Sequence, residues 1–185
     1  VVEDRSQPWV VMGYHTPAID HSDNAVFEAI SDILGAGRTS RLYKSLVKEK
    51  KIAVNASAFQ GFPGSKYPGL FVFFATPSQG HTTQESEEAV VTEIERLKTE
   101  PVSDQDLERF RTRSQASVVR ALASNRGLAR QLTFYEVVTG DWRNLFKQLD
   151  EINQVTAQDI QRVAKEYFTS KNSVVGVIET QQSDR

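Results

Sequence analysis

Three histidines, His15, His21 and His81, are the side chains of this 185-residue chain best suited to hold a metal ion or relay a proton. A zinc hydrolase needs two or three imidazole or carboxylate ligands held close together, most often with histidines at i and i+4 of one helix. None of the three is followed by another histidine four residues on. His15 ends an apolar run, His21 lies near the start of a helical pattern and His81 sits in a polar turn, so each reads as a surface or capping residue. Cysteine is absent, which removes disulfides, thiolate metal sites and cysteine nucleophiles together. No G-x-S-x-G elbow is present to activate a serine. Gly35 and Gly37 in LGAGRTS follow a helical pattern rather than a strand, with no G-K-[ST], so they read as helix C-terminal punctuation and not as a phosphate loop.

The acidic pairs Glu87-Glu88, Asp150-Glu151 and Asp104/Asp106 fall on helix faces or at helix starts, where carboxylates complement the helix dipole. A catalytic pair must meet in one cleft, and spacing alone does not put these there. Lys44, Lys48, Lys50 and Lys51 form a basic cluster without stacking aromatics, which reads as a solvated helix face. No catalytic residue and no metal ligand is assigned within this chain.

The elements that would position such residues follow from the apolar pattern. Hydrophobic residues make up 39% of the chain, enough for a core, and 22 basic against 24 acidic residues leave a net charge of −2. That balance argues against disorder and gives no electrostatic reason to bind nucleic acid or an anionic membrane. No apolar run approaches the roughly 20 residues of a membrane-spanning helix. The chain opens Val1-Val2-Glu3, without initiator methionine or signal peptide, and reads as a piece of something longer.

Trp9 to His15 is apolar and β-branched, a strand closed by Pro17. Asp20 or Ser22 can cap a helix whose buried face is Val26, Ile30, Ile33 and Leu34. A second helix is expected from about Thr39 to Lys50, with Leu42 and Leu46 inward. Ile52 to Phe59 alternates as a strand, with Ile52, Val54, Ala56 and Ala58 on one face. Gly61 to Gly69 is a loop, and Leu70 to Thr76, apolar on both faces, is a central strand forming a hairpin with the one before. Thr82 with Glu85 forms a capping box before Val90, Ile94 and Leu97. Leu107, Phe110, Ser114, Val118 and Ala121 trace a long helix started at Ser103. Leu128, Leu132 and Tyr135 mark another, ended by Gly140, and Trp142, Leu145, Leu149 and Ile152 mark the next. Thr156 and Asp159 cap a helix through Ile160, Val163, Ala164 and Tyr167, and Val174 to Glu179 is a last strand. The order predicts one α+β domain over residues 1–185: two layers, a mixed and mostly antiparallel sheet with helices packed on one face.

Two segments carry more than periodicity. LGAGRTSRLYKSLVKEKKIAVNASAF, Leu34 to Phe59, resembles the G-x-x-S-R-L-[FY]-x-x-L-R-E-K-x-G-L-A-Y segment of M16-type zinc peptidases, a family with insulin-degrading enzyme, pitrilysin and the mitochondrial processing peptidase. INQVTAQDIQRVAKEYF, Ile152 to Phe168, resembles the V-T-x-x-D-[IV]-x-x-V-A-x-x-Y helix that closes each repeat of those proteins. The resemblance implies a half-domain of a clamshell whose catalytic unit binds zinc through H-x-x-E-H and a distal glutamate. This sequence has no H-x-x-E-H, so it resembles a non-catalytic repeat.

In the repeat that faces the zinc, the family places an arginine and a tyrosine seven residues apart to bind substrate. Aligned on Leu46 and Ala53, those positions are Val47 and Val54 here, and neither side chain can donate to a peptide carbonyl. The resemblance therefore implies the non-catalytic C-terminal half of an M16 zinc metalloendopeptidase, with its own peptide-contacting residues unassigned. Its role would be to support the catalytic half and wall the peptide chamber. Zinc is expected in the partner catalytic half and no cofactor in this one. The implied partners are that half, in the same or another chain, a peptide substrate and a second copy in a full-length dimer, but no nucleic acid and no membrane. A bacterial periplasmic setting is the compartment the family suggests. The alternatives are a non-proteolytic scaffold subunit of the same fold, or a peptide-binding module that offers the strand Ile52 to Phe59 as an edge.

Overall fold

Alternation in three of the five strands builds a sheet with one dry face. The computed structural model describes residues 2–4 and 7–180. Strands β1 (Val2–Asp4), β2 (Trp9–Thr16), β3 (Ala53–Phe62), β4 (Gly69–Pro77) and β5 (Ser173–Thr180) lie in the order β1-β5-β2-β4-β3. β1 runs parallel to β5 and every other pairing is antiparallel. Val10, Met12 and Tyr14 of β2 stand opposite Ala75, Phe73 and Phe71 of β4, and Ala56 and Ala58 of β3 stand opposite Ala75 and Phe73. All eight are buried, so they form one continuous apolar surface.

Helices α1 (Asn24–Gly35), α2 (Thr83–Thr99) and α6 (Ala157–Tyr167) cover that surface. Ile30, Ile33 and Leu34 of α1, Val90, Ile94 and Leu97 of α2 and Ile160, Val163 and Ala164 of α6 are all buried in the same core. Phe168, at the end of α6, is its centre. Its ring lies 5.2 Å from Tyr14, 5.1 Å from Phe71 and 5.5 Å from Phe73, the spacing of favourable tilted and edge-to-face aromatic contacts. Helices α3 (Asp104–Leu122), α4 (Asn125–Thr139) and α5 (Asn144–Gln154) pack on one another beyond this layer.

Both capping boxes form. Thr82 Oγ1 accepts from Glu85 N at 3.1 Å while Glu85 accepts from Thr82 N at 2.9 Å, and Thr156 and Asp159 exchange the same pair of bonds. Gly140 ends α4 with φ +77°, the left-handed turn glycine adopts without strain.

Several expectations are corrected. The expected helix from Thr39 to Lys50 is a 3-10 turn, Gly37–Thr39, then a π-helix, Tyr43–Glu49. Lys50 N donates to Ser45 C=O, and Lys51, at φ 57°, ends the wider coil; Leu42 and Leu46 are buried as in an α-helix, so apolar spacing does not distinguish the two. In β3 the register shifts between Ala53 and Asn55, so Val54 is the extra residue of a bulge. The alternation slips by one: Ala53 is buried with Ala56 and Ala58, while Val54 is 54% exposed. Neither Asp20 nor Ser22 caps α1; Asp23 precedes the helix, and its side chain makes no cap bond because it is engaged elsewhere.

α1 ends at Gly35, as expected, and Gly37 follows at φ 72°; a Cβ on Gly35 would also sit 2.2 Å from the Ala58 carbonyl oxygen, so this glycine allows close helix–strand approach as well. On α3 only Leu107 and Phe110 of the expected stripe are buried; the helix packs on α1, α4 and α5. The short strand β1 is not signalled by any apolar alternation of its own.

Candidate functional site

Two of the three histidines close their own turns. His21 Nδ1 accepts from Asp23 N at 3.1 Å, and His81 Nδ1 lies 3.0 Å from Glu85 Oε2 within the α2 capping box. His15 is exposed at the end of β2, where its carbonyl accepts from Asn172 Nδ2 at 3.0 Å. Asp106 is held by Ser103 and Arg109 at the start of α3, and Glu88 accepts from Gln84 one turn away. Lys44, Lys48, Lys50 and Lys51 are exposed. Among the described residues no three histidine, cysteine, aspartate or glutamate side chains converge as metal ligands. The donor set present does not fit a zinc ion.

The strand that could receive an extended peptide is β3, which lies at the sheet edge and pairs only with β4. Two features restrict this edge. Ser31 Oγ of α1 donates to the Ala58 carbonyl at 3.2 Å, and bulges interrupt the register near Val54 and between Phe59 and Phe62. Val47 is half-buried on the π-helix and packs against the core; Val54 is exposed on the β3 bulge. The π-helix packs on β3, with Ile52 N donating to Leu46 C=O at 3.0 Å, so the two valines stand on neighbouring elements.

The polar chemistry that sequence reading missed is concentrated on α1 and its entry. Asp23, 5% exposed, receives both guanidinium nitrogens of Arg162 on α6, at 2.5 and 3.4 Å, and the Tyr167 hydroxyl at 3.4 Å. Burial alone would raise the Asp23 carboxyl, but hydrogen bonding to Arg162 and its charge outweigh burial, and the group lies below its usual range. Asp32 pairs with Arg113 of α3 at 3.3 Å, and Arg113 also donates to Thr39 Oγ1 at 2.9 Å. Glu28, one turn before Asp32, accepts from Asn24 and Gln148. The available signal was the run Asp23, Asn24, Glu28, Ser31 and Asp32, polar residues recurring at helical spacing in an otherwise apolar helix.

The sequence pattern of the Peptidase M16 inactive domain matches residues 1–114. Zinc protease PqqE of Helicobacter pylori is 27% identical over 165 residues, covering 89% of this chain and 36% of the relative. Mitochondrial-processing peptidase subunit alpha-2 of Dictyostelium discoideum is 30% identical over 164 residues, covering 84% of this chain and 36% of that protein. The chain thus spans little more than a third of either curated relative. The crystal structure of an inactive peptidase domain from Bordetella parapertussis superposes with a TM-score of 0.85 at 27% identity, covering 100% of this chain and 97% of that one. No helix among the described residues is long and apolar enough to cross a membrane. With the family's pattern across more than half its length and the matching fold, this chain belongs to the M16 peptidase family, as an inactive domain.

Proposed function

We propose that the chain is the non-catalytic C-terminal half of an M16-type zinc metalloendopeptidase. It supports a zinc-binding catalytic half and walls the chamber in which peptide is degraded. The observation that carries this reading is the extent of the matches: nearly the whole chain aligns with 36% of a zinc protease and superposes on a separate inactive domain almost end to end. Such a unit contributes shape and surface, and the zinc and its activated water belong to the partner half. Val47 and Val54 add no polar contact to substrate, so peptide orientation falls to other residues of the assembly.

A second reading is favoured by the position of β3. A peptide could add to this edge beyond Ala58, with main-chain hydrogen bonds supplying affinity.

The test is reconstitution of the chain with the zinc-binding half encoded beside it, followed by zinc analysis and cleavage of an unfolded peptide. One zinc per pair, and cleavage that requires both halves, are the expected results. A pair that binds no zinc and cleaves nothing refutes the proposal and leaves the scaffold role. Peptide binding by this chain alone, lost when β3 is shortened, would move the function to the edge strand.

A further inference from the structure

Two adjoining recesses open where the start of α1, the loop after β3 and the helices α4 and α5 meet. Their volumes are about 250 and 270 Å³, and they share Ile19, Asn24, Tyr135 and Gln148 as walls. Both are below the size of a cavity for a drug-sized ligand, and suit one small group. Glu28 lines the larger recess. Asn24 Nδ2 donates to its Oε1 at 3.2 Å, and Gln148 Nε2 donates to the same oxygen. Among the described residues Oε2 receives no hydrogen bond.

Tyr135 is the second observation. It is 7% exposed, it lines both recesses, and its hydroxyl has no hydrogen-bond partner among the described residues. The ring is buried while the hydroxyl is not among the buried unpaired polar atoms, so it opens into the recess, free to meet a ligand there. Burial, and then the charges of Glu28 and Glu151, push its ionisation well above the usual range, so it remains a neutral hydroxyl.

Acidic groups predominate around the recesses. Glu151 and Asp20, with Glu28, whose buried carboxyl ionises only near pH 7 and would be drawn to its charged form by a cation, line them against Lys147, whose ammonium is engaged by Asn144 Oδ1 at 2.9 Å. Lys66, on the neighbouring loop, donates to the Val137 carbonyl at 3.1 Å. A cation therefore fits, yet no three metal-ligating side chains converge among the described residues. The free acceptors suit N–H donors: Glu28 Oε2 and the Tyr135 hydroxyl oxygen. We propose that this recess is a binding site for an organic cation, a primary ammonium or guanidinium group on a chain the size of one amino-acid side chain, paired with Glu28 and hydrogen-bonded to Tyr135.

The cation could be a free small amine or a lysine or arginine side chain of a peptide, and the experiment separates them. The ¹⁵N-labelled chain is titrated with n-butylammonium and ethylguanidinium, and separately with a blocked pentapeptide carrying one central arginine; n-butanol is the neutral control. Saturable amide shifts confined to residues 19–28, 60–69 and 132–151 are expected for the cations and not for n-butanol. Glu28→Gln should weaken binding about tenfold or more, the worth of a charge-assisted hydrogen bond, and Tyr135→Phe should weaken it less. Glu151→Gln, at an exposed position, should weaken it a few-fold and serves if the Glu28 variant does not fold. Binding of the free cations alone assigns the site to a small amine, and binding of the peptide as well assigns it to a side chain. Absent or delocalised shifts, or equal affinity in all three variants, overturn the proposal.

Discussion

Glu28→Gln is the perturbation whose effect can be worked furthest from the structure. Burial raises the Glu28 carboxyl from its ordinary 4.5 to about 7; the hydrogen bonds from Asn24 and Gln148 oppose the rise and the Glu151 carboxylate adds to it. The folded chain thus holds this proton more tightly than the unfolded chain. Its contribution to stability is complete below pH 4.5 and is lost as pH rises through about 7. Integrated between about pH 5 and pH 8, that difference amounts to about 2–3 kcal/mol. This is an upper bound, because one side of the carboxyl faces the recess and water there solvates the charge.

Glutamine keeps the carbonyl that Asn24 and Gln148 address but cannot ionise. Urea unfolding of both proteins, followed by Trp9 and Trp142 fluorescence, gives the stability difference at each pH. Histidines and the other carboxylates, Asp20 and Glu151 included, are common to both and largely cancel. The variant should gain on the parent by about 1–2 kcal/mol across this interval. A difference that changes by less than about 0.5 kcal/mol, or changes in the opposite direction, refutes the reasoning.

Gly35→Ala should destabilise by about 3 kcal/mol or more, because its Cβ would lie 2.2 Å from the Ala58 carbonyl oxygen and 2.3 Å from the Ala58 nitrogen; a thermal midpoint within a degree or two of the parent would contradict this contact. Phe168→Ala removes the ring at the centre of the core and should cost about 3–5 kcal/mol in urea unfolding. Arg162→Ala leaves buried Asp23 without its guanidinium and should cost about 1–3 kcal/mol near neutral pH. That cost should shrink as pH falls through the lowered Asp23 value, since the carboxylate's stabilisation is present above 3.8 and lost on protonation; a cost independent of pH would refute the pairing. The chain on its own should self-associate near millimolar concentration through Phe134, Val137, Trp142 and Phe146, all exposed on α4, the turn after it and the start of α5. Sedimentation as a clean monomer would count against that.

What was legible in the sequence is what local contacts decide. Thr82 with Glu85 and Thr156 with Asp159 find their partners three residues away, so the residue types alone announce both helix starts. The β3–β4 hairpin is legible because Leu70 to Thr76 is apolar on both faces and the loop before it is rich in glycine and proline. What was not legible depends on chain segments far apart in sequence. Val54 leaves its expected face because β4 pairs with Ala53 and Asn55 and skips it. Gly35 is legible as the end of α1, but the second demand on it, the close approach of Ala58, arises only on folding. Glu28 and Tyr135 come from α1 and α4 with Gln148 of α5 between them, and no spacing rule joins those three. β1 is a three-residue strand whose partner is the last strand of the chain.

The helix α1 shows how a family fold can persist where a metal donor set does not. Its apolar positions, Ile30, Ile33 and Leu34, face the sheet, and a second set of positions, Asp23, Asn24, Glu28, Ser31 and Asp32, is polar and faces other elements. Each of the ties from this set to other elements crosses to a different one: Asp23 to α6, Glu28 to α5, Ser31 to β3 and Asp32 to α3. Burial makes these ties demanding, because a half-satisfied polar group inside the fold costs more than the bond returns. A polar face on a central helix is therefore not in itself a sign of catalysis. The carboxylates of Asp23, Glu28 and Asp32 are separated along α1 and its entry and each is matched by a guanidinium or an amide, and with the Ser31 hydroxyl they orient four neighbouring elements about one axis. Glu28 is the exception, since one of its oxygens and the Tyr135 hydroxyl beside it retain unused hydrogen-bonding capacity. If a ligand binds on this helix, that is the position at which it can do so without breaking a tie the fold requires.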